Sequence, residues 1–126
     1  MGPREIAIDS ANNVYVKDSV YSVHHIQKFT SSGVFLDRWN HSGTANGQWR
    51  DVSGIAIDSV GNVYMIDSLI HRVQEFSSSG AFLAKWGSYG SDDGQFMGFE
   101  AIAIDSTNKV YVLEDNRIQK FGCATL

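Results

Sequence analysis

The chain has 126 residues, 43% of them hydrophobic and only one a proline, which is typical of a single folded domain rather than a disordered segment. Ten basic and fourteen acidic residues give a formal charge of −4. They are spread singly, so no basic patch is available to neutralise nucleic-acid phosphates. No apolar run approaches the ~20 residues that cross a bilayer, and no signal-type stretch follows the charged N-terminus. A nucleic-acid partner is therefore disfavoured and no membrane partner is expected, and we expect a cytoplasmic chain if the N-terminus is genuine.

Four short segments recur in the same order along the chain. The first, Ile-Ala-Ile-Asp-Ser, begins at residues 6, 55 and 102. A Val-Tyr segment follows it in all three repeats, and then a segment with the pattern Gln-x-Phe. The fourth, Gly-x-Phe-Leu-x-x-Trp, occurs only twice, at 33–39 and 80–86. Such self-similarity at a period of 20–50 residues indicates a repeat architecture.

Each recurring segment has the composition of a β-strand. The first two are nearly continuous runs of β-branched and aromatic residues, as expected where both faces of a sheet are covered. The third and fourth alternate more, so we expect Gln74 and Glu75 to point away from the core, near the rim. Turn signals rich in Ser, Gly and Asn separate the segments. The repeat therefore predicts four-stranded antiparallel units that stack radially as the blades of a propeller.

The motifs also resemble a known family. The pattern Gly-Ile-Ala-x-Asp-Ser-x-Gly-Asn-Val-Tyr, followed by Arg-Ile-Gln-Lys-Phe, Gly-x-Phe-Leu-x-Lys-Trp-Gly and Asp-Gly-Gln-Phe, is similar to the NHL repeat. The second repeat, residues 54–96, matches it almost throughout. The resemblance implies blades with the first segment innermost, a ring that usually has six blades, and binding of proteins, RNA or small ligands. Among the departures between repeats, the glycine before Ile-Ala is Gly54 in the second repeat but Glu5 and Ala101 in the others.

We predict an all-β fold, a partial β-propeller of two full four-stranded blades and a three-stranded third, in one segment over residues 1–126. The repeats span 3–49, 52–96 and 99–121. A partial ring exposes apolar blade faces at both ends. It could be part of a longer propeller, a homodimer that closes a ring, or an open piece of a larger assembly.

Most candidate site residues belong to one end of the predicted blades, which carries the loops between second and third strands and the connections between blades. All four histidines map there, and imidazoles from neighbouring blades could converge on zinc. A metal site is nevertheless not our expectation, and we predict no cofactor and no catalytic residue. Aromatic and arginine side chains in the same loops suit a binding surface. The predicted ligand-binding residues are Tyr21, His24, His25, His41, Arg50, His71, Arg72 and Tyr89.

The recurrent aspartates, by contrast, are interpreted as structural. Asp9, Asp58 and Asp105 each begin a turn, where a carboxylate accepts backbone N–H bonds. A role repeated in every blade is structural rather than catalytic, because an active site needs only one set of residues. Since no catalytic constellation remains, the sequence favours a non-catalytic scaffold that binds a protein or peptide. The alternatives are a metal-assisted lyase or hydrolase on the same propeller, and an RNA-binding NHL domain.

Overall fold

The computed structural model describes residues 2–20 and 23–122, and in these ranges the chain forms eleven β-strands. None of the described residues belongs to a helix that could span a membrane. The eleven strands, with no helix among the described residues, confirm the all-β prediction. The strands are β1 (Gly2–Ile8), β2 (Val14–Val20), β3 (Val23–Phe29), β4 (Phe35–Trp39), β5 (Val52–Ile57), β6 (Val63–Asp67), β7 (Arg72–Phe76), β8 (Phe82–Trp86), β9 (Phe99–Ile104), β10 (Val110–Glu114) and β11 (Ile118–Phe121).

The strands form three antiparallel sheets, each a meander of consecutive strands. Blade 1 consists of β1–β4, blade 2 of β5–β8, and blade 3 of β9–β11. Strand β5 contacts both β1 and β9, so the first strands of the three blades lie side by side on the inside. This arrangement confirms the predicted partial propeller, with two four-stranded blades and a three-stranded third.

The recurrent aspartates close the turn between the first and second strands of each blade. Oδ1 of Asp58 accepts the backbone N–H groups of Val60 at 3.0 Å and Asn62 at 2.9 Å. Asp9 does the same in blade 1 and Asp105 in blade 3. Several hydrogen bonds lower the pKa of Asp105 to about 2, and the one from the backbone N–H of Lys109 has the largest effect. These carboxylates are structural, as the sequence predicts.

The blades pack through faces that are mainly apolar. We call the side of a blade that meets the next blade in the chain its forward face, and the opposite side its rear face. Between blades 1 and 2, a forward face meets a rear face in one buried cluster, and the same arrangement recurs between blades 2 and 3. The forward-face members are Tyr15, Ile26 and Trp39 of blade 1 and Tyr64, Ile66 and Val73 of blade 2; the rear-face members include Ile55, Met65 and Phe76 of blade 2 and Val110, Val112 and Phe121 of blade 3.

One expectation about the third strands is wrong. Every residue of β7 is buried, including Gln74 and Glu75, which the alternating pattern placed near a solvated rim. The Gln74 amide accepts the N–H of Gly47 at 2.9 Å and donates to the carbonyl of Gln48 at 2.6 Å. It therefore holds the connection from blade 1, and its polarity is satisfied by backbone groups rather than by water.

Candidate functional site

Both blade connections, residues 40–51 and 87–98, lie at one end of the blades, which we call the loop end. Arg72 is 7% exposed there and donates to three connection carbonyls, those of Thr44 at 3.1 Å, Ala45 at 2.8 Å and Gln48 at 2.9 Å. Arg117 binds the next connection in the same way. Because two blades make the same contact, its role is to hold the connection between blades. The guanidinium groups of both arginines are engaged in these hydrogen bonds.

Of the other predicted site residues at the loop end, only His71 and Tyr89 are brought into contact with each other among the described residues. His41 stacks on Trp49 with ring centroids 5.5 Å apart, and the ring of His71 meets Tyr89 edge-on at 4.8 Å. Tyr89 remains 63% exposed. Arg50 has an exposed side chain, and its backbone N–H donates to Asp67.

The remaining predicted loop residues belong to blade 1. His25 Nδ1 lies 3.5 Å from a carboxylate oxygen of Asp18, while Tyr21 falls outside the described residues. Over the described ranges, no three histidine, cysteine or acidic side chains converge in a way that could hold a metal ion.

His24 differs from the other histidines because it bridges two blades. It lies on β3 of blade 1, and its Nδ1 accepts the N–H of Val52, at the start of β5, at 3.2 Å. Its backbone carbonyl accepts the indole N–H of Trp49 at 2.8 Å, which ties the indole ring of the connection to β3. Asp51 lies 3.8 Å from Nδ1. Because Nδ1 is an acceptor, the proton of the neutral ring belongs on Nε2, which is left as a hydrogen-bond donor.

Two opposite charges lie at paired positions beside His24. Glu5 of β1 faces Lys17 of β2 in the strand register, and Lys17 is only 6% exposed. Burial raises the pKa of Glu5 above its ordinary value, and the ammonium of Lys17 offsets part of this shift. Burial also lowers the pKa of His24, with the charge of Lys17 acting in the same direction. His24 is therefore neutral at neutral pH, next to a buried ammonium group.

We name Glu5, Lys17, His24 and Asp51 the interblade cluster. The first three lie on the forward face of blade 1, and Asp51 immediately precedes β5 of blade 2. The set combines a carboxylate with a raised pKa, a buried ammonium and a neutral imidazole whose Nε2 is a donor. Perturbed titratable groups that converge in this way can act as general base and oxyanion donors.

The cluster occurs only once, although its positions recur in every blade. Where blade 1 has Glu5 paired with Lys17, blade 2 has Gly54 paired with Ile66, and blade 3 has Ala101 paired with Leu113. The fold therefore tolerates a fully apolar pair at these positions. A buried ion pair is weak support for stability, because desolvation offsets much of the attraction between its charges. These residues are not required by the propeller itself.

The first strands also vary at a second point. Each contains a β-bulge, between Pro3 and Glu5 in β1 and at the matching places in β5 and β9. At the bulge of blade 2, the hydroxyl groups of Ser53 and Ser68 are hydrogen-bonded to each other. The corresponding pair in blade 3 consists of carboxyl groups, Glu100 and Asp115, and their hydrogen bond raises the pKa of Glu100. Bulges are frequent next to active sites, where they redirect side chains.

Sequence reasoning found His24 but not its neighbours. The replacement of a glycine by Glu5 is visible in the sequence, as is the position of Lys17 in an otherwise apolar segment. The signal that could have joined them was the antiparallel register, which pairs the two departures across one hairpin. That pairing depends on the bulge, which the sequence does not reveal.

No protein-family profile and no curated protein matches this chain, but solved structures with the same fold do. One is a gluconolactonase from Xanthomonas campestris, with a TM-score of 0.61 and 18% identity, covering 94% of this chain and 36% of that one. A second is a luciferin-regenerating enzyme, with a TM-score of 0.61 and 14% identity, covering 97% of this chain and 45% of that one. A third is a protein of unknown function from Bacteroides caccae, with a TM-score of 0.57 and 16% identity, covering 95% of this chain and 46% of that one. The chain spans less than half the length of each of these proteins.

These comparisons define a propeller-like, all-β chain and correct the functional expectation. A non-catalytic scaffold for protein binding was predicted because the sequence showed no catalytic constellation. That interpretation is contradicted, because two of the similar structures are enzymes. The interblade cluster removes the original reason for it as well, since it supplies a set of titratable groups present in only one blade.

Proposed function

We propose that this chain belongs to a propeller hydrolase, and that the interblade cluster acts on an ester or lactone. The observation that carries the proposal is the placement of Glu5 and Lys17 beside His24. At the positions of Glu5 and Lys17, the other two blades have only small or apolar residues. The similar gluconolactonase indicates the substrate class, because a lactone is a cyclic ester. The fold is compatible with such chemistry, and the residues that would perform it are specific to this chain.

Ester hydrolysis requires a base for water and positive charge near the developing oxyanion. In our proposal, the Glu5 carboxylate takes a proton from the attacking water. Its raised pKa makes it a stronger base than an exposed carboxylate. The Lys17 ammonium and the Nε2–H of His24 stabilise the oxyanion of the tetrahedral intermediate. The intermediate then expels the alkoxide, which takes back the proton held by Glu5, so that the products are an alcohol and a carboxylic acid and Glu5 is a carboxylate again. Asp51 and Val52 act as positioning residues, because both lie against Nδ1 of His24.

The test is hydrolysis of 4-nitrophenyl acetate and of glucono-δ-lactone by the purified chain. Lys17→Met and Glu5→Gln should each lower kcat/KM by about 10²-fold or more, the size of loss typical for one oxyanion donor or one general base. Lys85→Met is the matched control. Lys85 is exposed on β8, so this variant should retain full activity. The rate should rise with pH as Glu5 ionises, with a midpoint above the ordinary carboxylate range.

The proposal would be wrong if the wild-type chain hydrolysed neither compound, or if Lys17→Met and Lys85→Met were equally active. Far-ultraviolet circular dichroism of each variant separates a catalytic loss from misfolding. Lys17→Met should fold, because Ile66 and Leu113 occupy the same position in the other blades.

We also propose that the three units are NHL repeats, with the boundaries 3–49, 52–96 and 99–121. Three features support this assignment: the aspartate turn, the apolar first strand, and, in blades 2 and 3, the third-strand glutamine that binds a connection. A profile built from these positions should retrieve NHL proteins ahead of other propellers. Retrieval of lactonase-type propellers first would reject the assignment.

A further inference from the structure

Blade 3 has an unoccupied apolar forward face. Ala101, Ala103, Tyr111, Leu113 and Ile118 line an open groove on it. Leu113 is 41% and Ile118 66% exposed. Their repeat equivalents in blade 2, Ile66 and Val73, are 0% exposed because blade 3 covers them.

Blade 1 has the reverse condition, an exposed rear face. Ile6 is 66% exposed and Ile8 59%, while their equivalents in blade 2, Ile55 and Ile57, pack against blade 1. Phe35, at the start of β4, is 53% exposed as well. Two apolar faces of opposite type are thus present on one chain, each chemically matched to partners that the chain already uses internally.

We propose that a second copy of this chain covers both faces, with the forward face of blade 3 in each copy seated on the rear face of blade 1 in the other. This contact is the one that joins blade 1 to blade 2 and blade 2 to blade 3. Such a contact is heterologous, so it forms a closed assembly only if successive rotations close a ring. Two copies would form two such joints around a common axis.

The chemistry of the two faces agrees with closure by two copies, because each face matches one that the chain already buries between its own blades. Two copies would supply six blades, of which two are three-stranded. The contact surface is of the apolar kind that obligate dimers bury, rather than the mixed surface of a transient partner. A single joint would leave one forward and one rear face exposed to water, which favours the closed form.

The experiment is light scattering of the whole chain over about 1–100 μM. We expect a mass near twice 13.9 kDa. Ile118→Asp on the forward face and Ile8→Asp on the rear face should each raise the dissociation constant at least about 100-fold, because each places a charge in both joints of the ring. The matched control is Leu69→Asp, which changes an apolar side chain that is 60% exposed but lies in the turn after β6, outside both faces.

A wild-type mass of 13.9 kDa across this range would overturn the proposal. A dimer that persisted in both Ile118→Asp and Ile8→Asp would overturn it too, since association would then use another surface. Circular dichroism should show that both variants keep their β-sheet content, because both positions are exposed within one chain. The interblade cluster lies within a single copy, so loss of dimerisation and loss of hydrolysis are separate results.

Discussion

The indole N–H of Trp39 donates to the carboxylate of Asp37 at 3.1 Å, two residues earlier on β4. Trp86 occupies the same place in blade 2, but residue 84 is alanine, and its buried indole nitrogen has no hydrogen-bond partner among the described residues. An unsatisfied buried donor costs about 1–3 kcal/mol. The two tryptophans therefore form a natural comparison between a satisfied and an unsatisfied indole.

Ala84→Asp should stabilise the chain by supplying the missing acceptor. We expect the free energy of unfolding to increase by about 1 kcal/mol, the net contribution of one hydrogen bond. Urea unfolding followed by tryptophan fluorescence measures the change. Asp37→Ala is the reciprocal control and should lower stability by a similar amount. Equal stability of Ala84→Asp and the wild type would mean that the carboxylate does not reach Trp86.

Arg72→Met should destabilise the chain by about 2–4 kcal/mol. The substitution keeps much of the side chain's length but removes the donors to the carbonyls of Thr44, Ala45 and Gln48. Hydrogen bonds from charged groups contribute about 1.5–3 kcal/mol each, and the carbonyls nearest solvent would recover partners in water. The exposed Arg38 provides a control, because Arg38→Met should change stability by less than about 0.5 kcal/mol. Thermal unfolding of the two variants distinguishes these outcomes.

Glu75→Gln should stabilise the chain at neutral pH. Glu75 is 0% exposed, and burial is the main reason that its pKa lies above the ordinary value, with the negative charge of Asp58 adding to the effect. Because the folded state binds the proton more tightly than the unfolded state, the wild type loses stability as pH rises through the unfolded pKa towards the folded one.

The difference between Glu75→Gln and the wild type should therefore be largest above the folded pKa and shrink as the pH falls to the ordinary carboxylate value. Unfolding midpoints measured from pH 4 to pH 8 would show this convergence. Parallel curves would indicate that Glu75 has the same pKa in both states. At the position of Glu75, blade 1 has Lys28 and blade 3 has Lys120. Each of these ammonium groups lies over a tyrosine ring of its own blade, Tyr15 and Tyr111 respectively.

The strands and their order were predictable because both rest on local pattern. The apolar and β-branched segments recur three times, and short turn sequences leave hairpins as the simplest connection. Alternation failed for β7, where it placed Gln74 and Glu75 outside. A glutamine that binds backbone groups of a connection about 26 residues away is buried for a non-local reason, which periodicity cannot detect.

The candidate site was only partly predictable for the same reason. His24 stood out as a loop-end histidine, but its role depends on contact with Val52 across the blade boundary. Glu5 and Lys17 differ from their repeat equivalents in the sequence alone. Their pairing needed the strand register and its bulge, since a shift of one residue would place them on opposite faces.

Blade 2 has Gly54 at the position that Glu5 occupies in blade 1, and the packing around Gly54 leaves little room for a side chain. A Cβ atom on Gly54 would lie 2.7 Å from Cδ1 of Ile66 and 3.3 Å from Cγ2 of Ile102. Gly54→Ala should therefore destabilise the chain by about 1–3 kcal/mol through overpacking. Ile66→Val removes Cδ1 but keeps Cγ1, which would lie 2.9 Å from the added Cβ, so it relieves part of the crowding and the double variant should be more stable than the sum of the single effects predicts. A double-mutant cycle by urea unfolding measures this coupling, and strict additivity would show that the Gly54 site relaxes without moving Ile66.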